Sequence, residues 1–246
     1  MPTSAPSARA PKERPPSVWE DLLEIFYTPA TVFARRQDTP AFGLALIVFA
    51  VLIVGLSFGF RGMMEPVLDA EWKRGMAQAL KANPQLTPEM MEKGKGIART
   101  FFFVGIGFYA FVVPILLGLV LWVVGKVLGS TAEVSQMLMV GTYGMFPRVL
   151  ESILGAAQTL FLPEEVLNSR YALQLGPARF MDPDVSSPLL LAVVGRADLF
   201  TLWVTLLFAI GLAVLGKVPK GYAVIGALII WVIGGMPAVY GAFQAM

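Results

Sequence analysis

The sequence contains no cysteine and no histidine. Without cysteine there is no disulfide, no thiolate nucleophile and no iron–sulfur ligation. Without histidine the usual general base and metal ligand are missing, and with them every Ser-His-Asp arrangement. An enzyme would have to work with carboxylates, lysine, tyrosine or serine alone. Charge is scarce as well: 15% of residues are Asp, Glu, Lys or Arg, against about 25% in an ordinary soluble domain. The formal net charge is +2 and the basic residues are scattered, which argues against nucleic acid as a partner. No strand is predicted, so no glycine-rich loop follows one, and no cofactor is expected. Asp182, Asp184 and Ser186 lack the third acid and the glycine of a calcium loop and read as a solvated turn.

What the chain has is apolar length. Hydrophobic residues make up 56% of it, and a helix crosses the hydrocarbon core with about 20 apolar residues. Uncharged runs cover 41–60, 101–125, 199–216 and 221–243. A further run at 136–162 is long enough to span but carries Arg148 and Glu151. The expected fold is all-α, a polytopic membrane protein with five transmembrane helices. Gly55 and Gly59, and Gly125 and Gly129, have the spacing that lets helices approach closely, read here as ordinary packing within the bundle.

Outside the spans, residues 1–16 are rich in Pro, Ser and Ala and read as a disordered tail. Residues 17–36 read as amphipathic surface helices. Val18, Trp19, Leu22, Leu23, Ile25 and Phe26 form the apolar face, and Glu20, Asp21 and Glu24 lie opposite. Thr28 caps a second short helix with Pro29 at its first position. Residues 62–100 read as an extracytoplasmic helical hairpin broken at Asn83-Pro84, its second helix starting at Thr87. Residues 163–197 are polar first and then briefly apolar, too briefly to span. Lys126, Lys217 and Lys220 in the short connections put the N-terminus in the cytoplasm and, with five spans, the C-terminus outside.

The third span holds the most informative residues. A charge at the bilayer centre costs about 2.5–3.5 kcal/mol on insertion scales, so Arg148 and Glu151 must face the bundle or a wet cavity. They stand at i and i+3 and can pair. Pro147 removes an N–H and frees the carbonyl of Tyr143, within reach of the neighbouring guanidinium. Arg148, Glu151, Pro147 and Tyr143 thus form either a structural polar lock or a ligand-binding site for a lipid headgroup, ion or anionic solute. Asp198, just before the fourth span, reads as a helix cap. No catalytic and no metal-ligating residues are expected.

The segments "FYTPATVF", "YGMFPR" and "DLFTLW", in this order along the chain, resemble the YIP domain family of Ypt/Rab-interacting membrane proteins, and its bacterial branch more closely. The resemblance covers the chain from about Val18 onward. It implies a five-span domain over 37–246 in the inner membrane, and a non-enzymatic protein that organises membrane or partner proteins. The expected partners are membrane lipids and a protein partner or a second copy of the chain. The alternative is a conduit or carrier for lipid or a small solute, with its polar site around Arg148 and Glu151.

Overall fold

The computed structural model describes residues 17–244, so the tail expected over 1–16 lies outside the described residues. Those residues are helical, with no strand among them. Helix α1 (Val18–Glu24) opens with a capping box: Ser17 Oγ accepts the Glu20 N–H and the Glu20 carboxylate accepts the Ser17 N–H. Helix α2 (Pro29–Arg35) follows. The Thr28 hydroxyl does not cap it, because it donates back to the Glu24 carbonyl at 3.3 Å.

The inward face of α1 differs from its hydrophobic pattern. Leu22 and Ile25 turn inward, and so does Asp21, which is fully buried. Trp19, Leu23 and Tyr27 face out, 60%, 68% and 70% exposed. The reason lies ten or more residues further on. Arg35 Nη2 and Arg36 Nε fold back onto the two oxygens of Asp21, the latter at 2.6 Å, and Arg35 also reaches Glu24 at 2.7 Å. A buried carboxylate is tolerated when it is paired and hydrogen-bonded, and here two guanidinia do both.

Helices α3 (Phe42–Gly59), α5 (Pro88–Val127) and α10 (Lys220–Gln244) are each long and apolar enough to cross a membrane. Leu44, Ile47 and Val51 on α3 are exposed, as are Val224, Leu228 and Val232 on α10, which suits a lipid-facing surface. Helices α8 (Pro188–Val194) and α9 (Leu199–Val214) are bent by 50° at a short break and together make up to a fourth candidate span. The brief apolar run before Leu199 thus forms a short helix of its own, set at an angle to α9.

Over 136–162 the chain forms two helices, α6 (Val134–Tyr143) and α7 (Pro147–Gln158), of 10 and 12 residues. Pro147 stands at the first position of the second, where its missing N–H is no loss. Helix α6 is the centre of the core. Met137, Met139, Val140, Gly141, Thr142 and Tyr143 are all buried among α3, α5 and α9. Its closest approach is to α5. A Cβ on Gly141 would lie 2.5 Å from the Pro114 carbonyl oxygen, and one on Gly118 would lie 2.7 Å from Leu138 Cα. Backbone meets backbone there, the use small residues have between membrane helices. Gly55 and Gly59, by contrast, face open space, so that spacing does not mark a contact.

Helix α4 (Glu65–Ala82) ends before Asn83, and Thr87 caps α5 by accepting the Met90 N–H. At about 1.5 Å per residue, the 40 residues of α5 far exceed a bilayer core of about 30 Å. Its first turns pair with α4 through Lys95–Asp69 at 2.8 Å and Arg99–Glu65 at 3.5 Å. Arg74 on α4 binds Asp184 at 2.7 Å and the Asn168 carbonyl, so the turn at 182–186 is held by a helix rather than only solvated.

Candidate functional site

Two interrupted helices meet inside the bundle. At the first interruption the chain tightens. The N–H groups of Met145 and Phe146 donate to the carbonyls three residues back, Thr142 and Tyr143, at 3.2 Å each. Arg148 and Val149 continue the same pattern to Met145 and Phe146 at 2.9 Å each. The break thus satisfies these backbone groups within itself. The Tyr143 carbonyl is occupied by Phe146, and the Arg148 guanidinium turns elsewhere. Arg148 Nη1 donates to Glu151 Oε2 at 2.6 Å, and Nη2 to Thr201 Oγ1 on α9 at 3.0 Å. One arginine therefore ties α7 to itself and to α9.

Tyr143 belongs to a different neighbourhood. Its ring is fully buried, its hydroxyl reaches toward the Ala41 carbonyl at 3.4 Å, and it lies within electrostatic reach of Asp21, Arg35 and Arg36. Of the four residues singled out in the sequence, the structure brings Pro147, Arg148 and Glu151 together and sends the Tyr143 side chain to the N-terminal helices.

At the second interruption Asp198, almost fully buried, caps α9 through the N–H groups of Phe200 and Thr201 at 3.0 and 3.2 Å. Its other oxygen accepts the Leu175 N–H at 2.9 Å. Two residues earlier stands Arg196, which sequence reading passed over. Its Nη2 donates to the Trp231 carbonyl on α10 at 2.6 Å, and the Trp231 indole N–H donates back to the Arg196 carbonyl at 3.2 Å. The guanidinium lies 5.3 Å from the indole ring centre, a cation–π contact. It rests across Gly234 and Gly235, where a Cβ on Gly235 would come within 3.1 Å of Nε. The glycine pair one turn after a tryptophan in α10 was the signal available in the sequence.

Arg148 and Arg196 are within electrostatic reach of each other. Tyr109 on α5 lies within the reach of both and of Glu151. One turn beyond Arg148, at Ser152, a crevice of about 150 Å³ opens between the C-terminal end of α3, the start of α4, α5 and α7, lined by Leu56, Arg61, Leu68, Phe103, Ile106 and Ser152. A larger cavity of about 550 Å³ lies at α4, but its carboxylates Glu65 and Asp69 already face Arg99 and Lys95. Chemically the junction offers guanidinium donors and the Thr201 hydroxyl.

Long apolar helices, two interrupted ones and charges gathered at their breaks define a polytopic, all-helical membrane protein. Residues 23–241 match the family model described as the Yip1 domain, and the chain belongs to that family. No curated protein and no solved structure matches it.

Proposed function

We propose that this protein is a non-enzymatic, multi-pass inner-membrane protein of the YIP type that organises partner proteins at the membrane surface. The observation that carries this reading is the outer surface of α1 and the turn after it. Trp19 and Leu23 on α1 and Tyr27 in that turn recur at every fourth residue and are all largely exposed, on a segment fixed from behind by the Asp21 ion pairs. An ordered, apolar, outward surface is what a docking platform needs, and aromatic anchors are the residues that dominate binding energy at such surfaces.

The accompanying topology has five crossings: α3, α5, α6 with α7, α8 with α9, and α10. The N-terminus is cytoplasmic and the C-terminus extracytoplasmic, and α4 with the first turns of α5 stands outside as a hairpin. Because the chain has no cysteine, single cysteines report topology cleanly. Ala30→Cys and Gln244→Cys react with an impermeant reagent from opposite sides of the membrane. Labelling from the same side rules out an odd number of crossings. A photo-crosslinker at Leu23 is expected to trap a protein adduct that Trp19→Ala and Tyr27→Ala abolish. Capture of lipid alone overturns the platform reading.

A second reading, a conduit or carrier for lipid or a small solute, is favoured by the junction, where Arg196 adds a second guanidinium to Arg148.

A further inference from the structure

The depth of Arg196 is set by what it touches. It is bonded to Trp231, which lies roughly 16 Å along α10 from Lys220 and roughly 20 Å from Gln244 at 1.5 Å per residue. The guanidinium is therefore close to the middle of a helix long enough to cross a bilayer. Arg148 joins the same region through Thr201 on α9, the helix that Arg196 precedes.

The charges at this depth do not cancel by contact. Glu151 is bonded to Arg148, and both oxygens of Asp198 are engaged by backbone N–H groups. Among the described residues no carboxylate lies within salt-bridge distance of Arg196, and neither its Nη1 nor its Nε donates to any of them. Arg148 keeps one free N–H on each Nη and is itself 21% exposed. Two like charges in an apolar bundle repel strongly unless an anion stands near both. Arginine pairs match the tetrahedral oxygens of phosphate through planar, bidentate donors.

We propose that Arg148 and Arg196 jointly bind one phosphate group near the start of α9, which Arg148 reaches through Thr201 and Arg196 precedes. Where that phosphate belongs to a lipid, the crevice that Ser152 lines, one helical turn from Arg148, has room for a short part of an acyl chain. The Arg148–Glu151 pair alone is neutral and holds nothing firmly. Arg196 is what makes the site.

This deepens the carrier reading and rests on it for the ligand's route, so binding and transport are measured separately. The purified full-length chain in detergent is examined by native mass spectrometry with a phosphatidylglycerol and, as control, a diacylglycerol of the same acyl chains. Inorganic phosphate is titrated in a parallel arm with thermal unfolding as readout. Wild type is expected to retain the phospholipid and not the diacylglycerol, and Arg196→Gln to retain it at least about tenfold less. Protection by inorganic phosphate without phospholipid retention assigns the site to a small solute. Arg196→Lys keeps the charge and loses the planar fork, and should fall between the two. It serves as the test if Arg196→Gln does not fold. Equal retention by wild type and both variants overturns the proposal. So does a wild type that prefers neither phosphate-bearing probe over its control. Leaflet exchange of a labelled phospholipid in vesicles then tests the carrier. Binding without exchange retires the carrier and keeps the site, while exchange indifferent to Arg196 does the reverse.

Discussion

The chain places arginine pairs in two regions and answers them differently. At the N-terminal helices Arg35 and Arg36 share Asp21, with Glu24 as a second carboxylate, so two guanidinia meet two acids. At the junction Arg148 and Arg196 have one bonded acid, Glu151, because Asp198 serves the start of α9. An unpartnered Nε does not distinguish the regions, since Arg35 has one as well as Arg148 and Arg196. The distinction is in charge. The first region is closed upon itself, whereas the second leaves the Arg196 guanidinium without a carboxylate partner among the described residues.

The largest effect is expected where the closure is complete. Asp21→Ala leaves two guanidinia facing a buried gap, and breaking a buried pair from one side costs about 3–5 kcal/mol. The expected result is a clear fall in the unfolding midpoint in lipid nanodiscs and new trypsin cleavage after Arg35 and Arg36. If α1 and α2 stay protected, the ion pairs are not what fixes them.

Glu151→Ala comes next. Arg148 keeps Thr201 but loses its charged partner, a hydrogen bond of the kind worth about 1.5–3 kcal/mol. The double swap Arg148→Glu with Glu151→Arg restores the pair across i and i+3 but not the guanidinium bond to α9. Recovery of stability by the swap therefore marks a lock internal to α7. Failure to recover marks the α7–α9 tie as the important contact. Addition of phospholipid that stabilises wild type and not the swapped protein aligns the defect with binding rather than folding.

How much of this was legible beforehand depended on the distance over which the cause acts. The cap at Thr87, the break after Ala82 and the cap at Asp198 were readable because capping is decided by neighbours within a few residues. Pro147 was read as lying inside one span, freeing the Tyr143 carbonyl, and is instead the first residue of a new helix, a difference that only the tightened turn at 144–146 reveals. Asp21 looked solvent-facing by helical spacing. Its burial depends on arginines beyond the next helix, which no periodicity reports. The glycines that bring helices together, Gly118 and Gly141, carry no spacing motif with each other because they lie on different helices. Arg196 was missed for the same reason, its partner being 35 residues away.

Arg196→Met sharpens the comparison by its small effect. Replacing Arg196 by an apolar side chain of similar length loses the bond to the Trp231 carbonyl and the cation–π contact. It also removes a charge with no carboxylate partner among the described residues. The two offset, so the net effect on stability is expected to be within about 1 kcal/mol. The same change would abolish phosphate-dependent stabilisation. Thermal unfolding with and without added phosphatidylglycerol separates the two. A large loss of intrinsic stability would make Arg196 as structural as Asp21.

The smallest effect belongs to a charge pair that lies outside both regions. Lys95 donates to Asp69 at 2.8 Å and holds that carboxyl below its usual range, against a weaker opposing effect of burial. A carboxyl lowered in the folded state adds stability above its unfolded pKa and loses it as the pH falls through the folded value. Both side chains are about four-tenths exposed, so solvent screening limits the pair to a fraction of about 1 kcal/mol. The contact between α4 and the start of α5 should therefore hold from neutral pH down through the ordinary carboxylate range and loosen only in stronger acid. Spin labels at Gln78→Cys and Met90→Cys, free of background in a chain without cysteine, read this as a broadening distance distribution. Lys95→Met is expected to move the broadening to higher pH. An unshifted profile would mean that packing, with Trp72 against Gly94 at its centre, holds the two helices without help from charge.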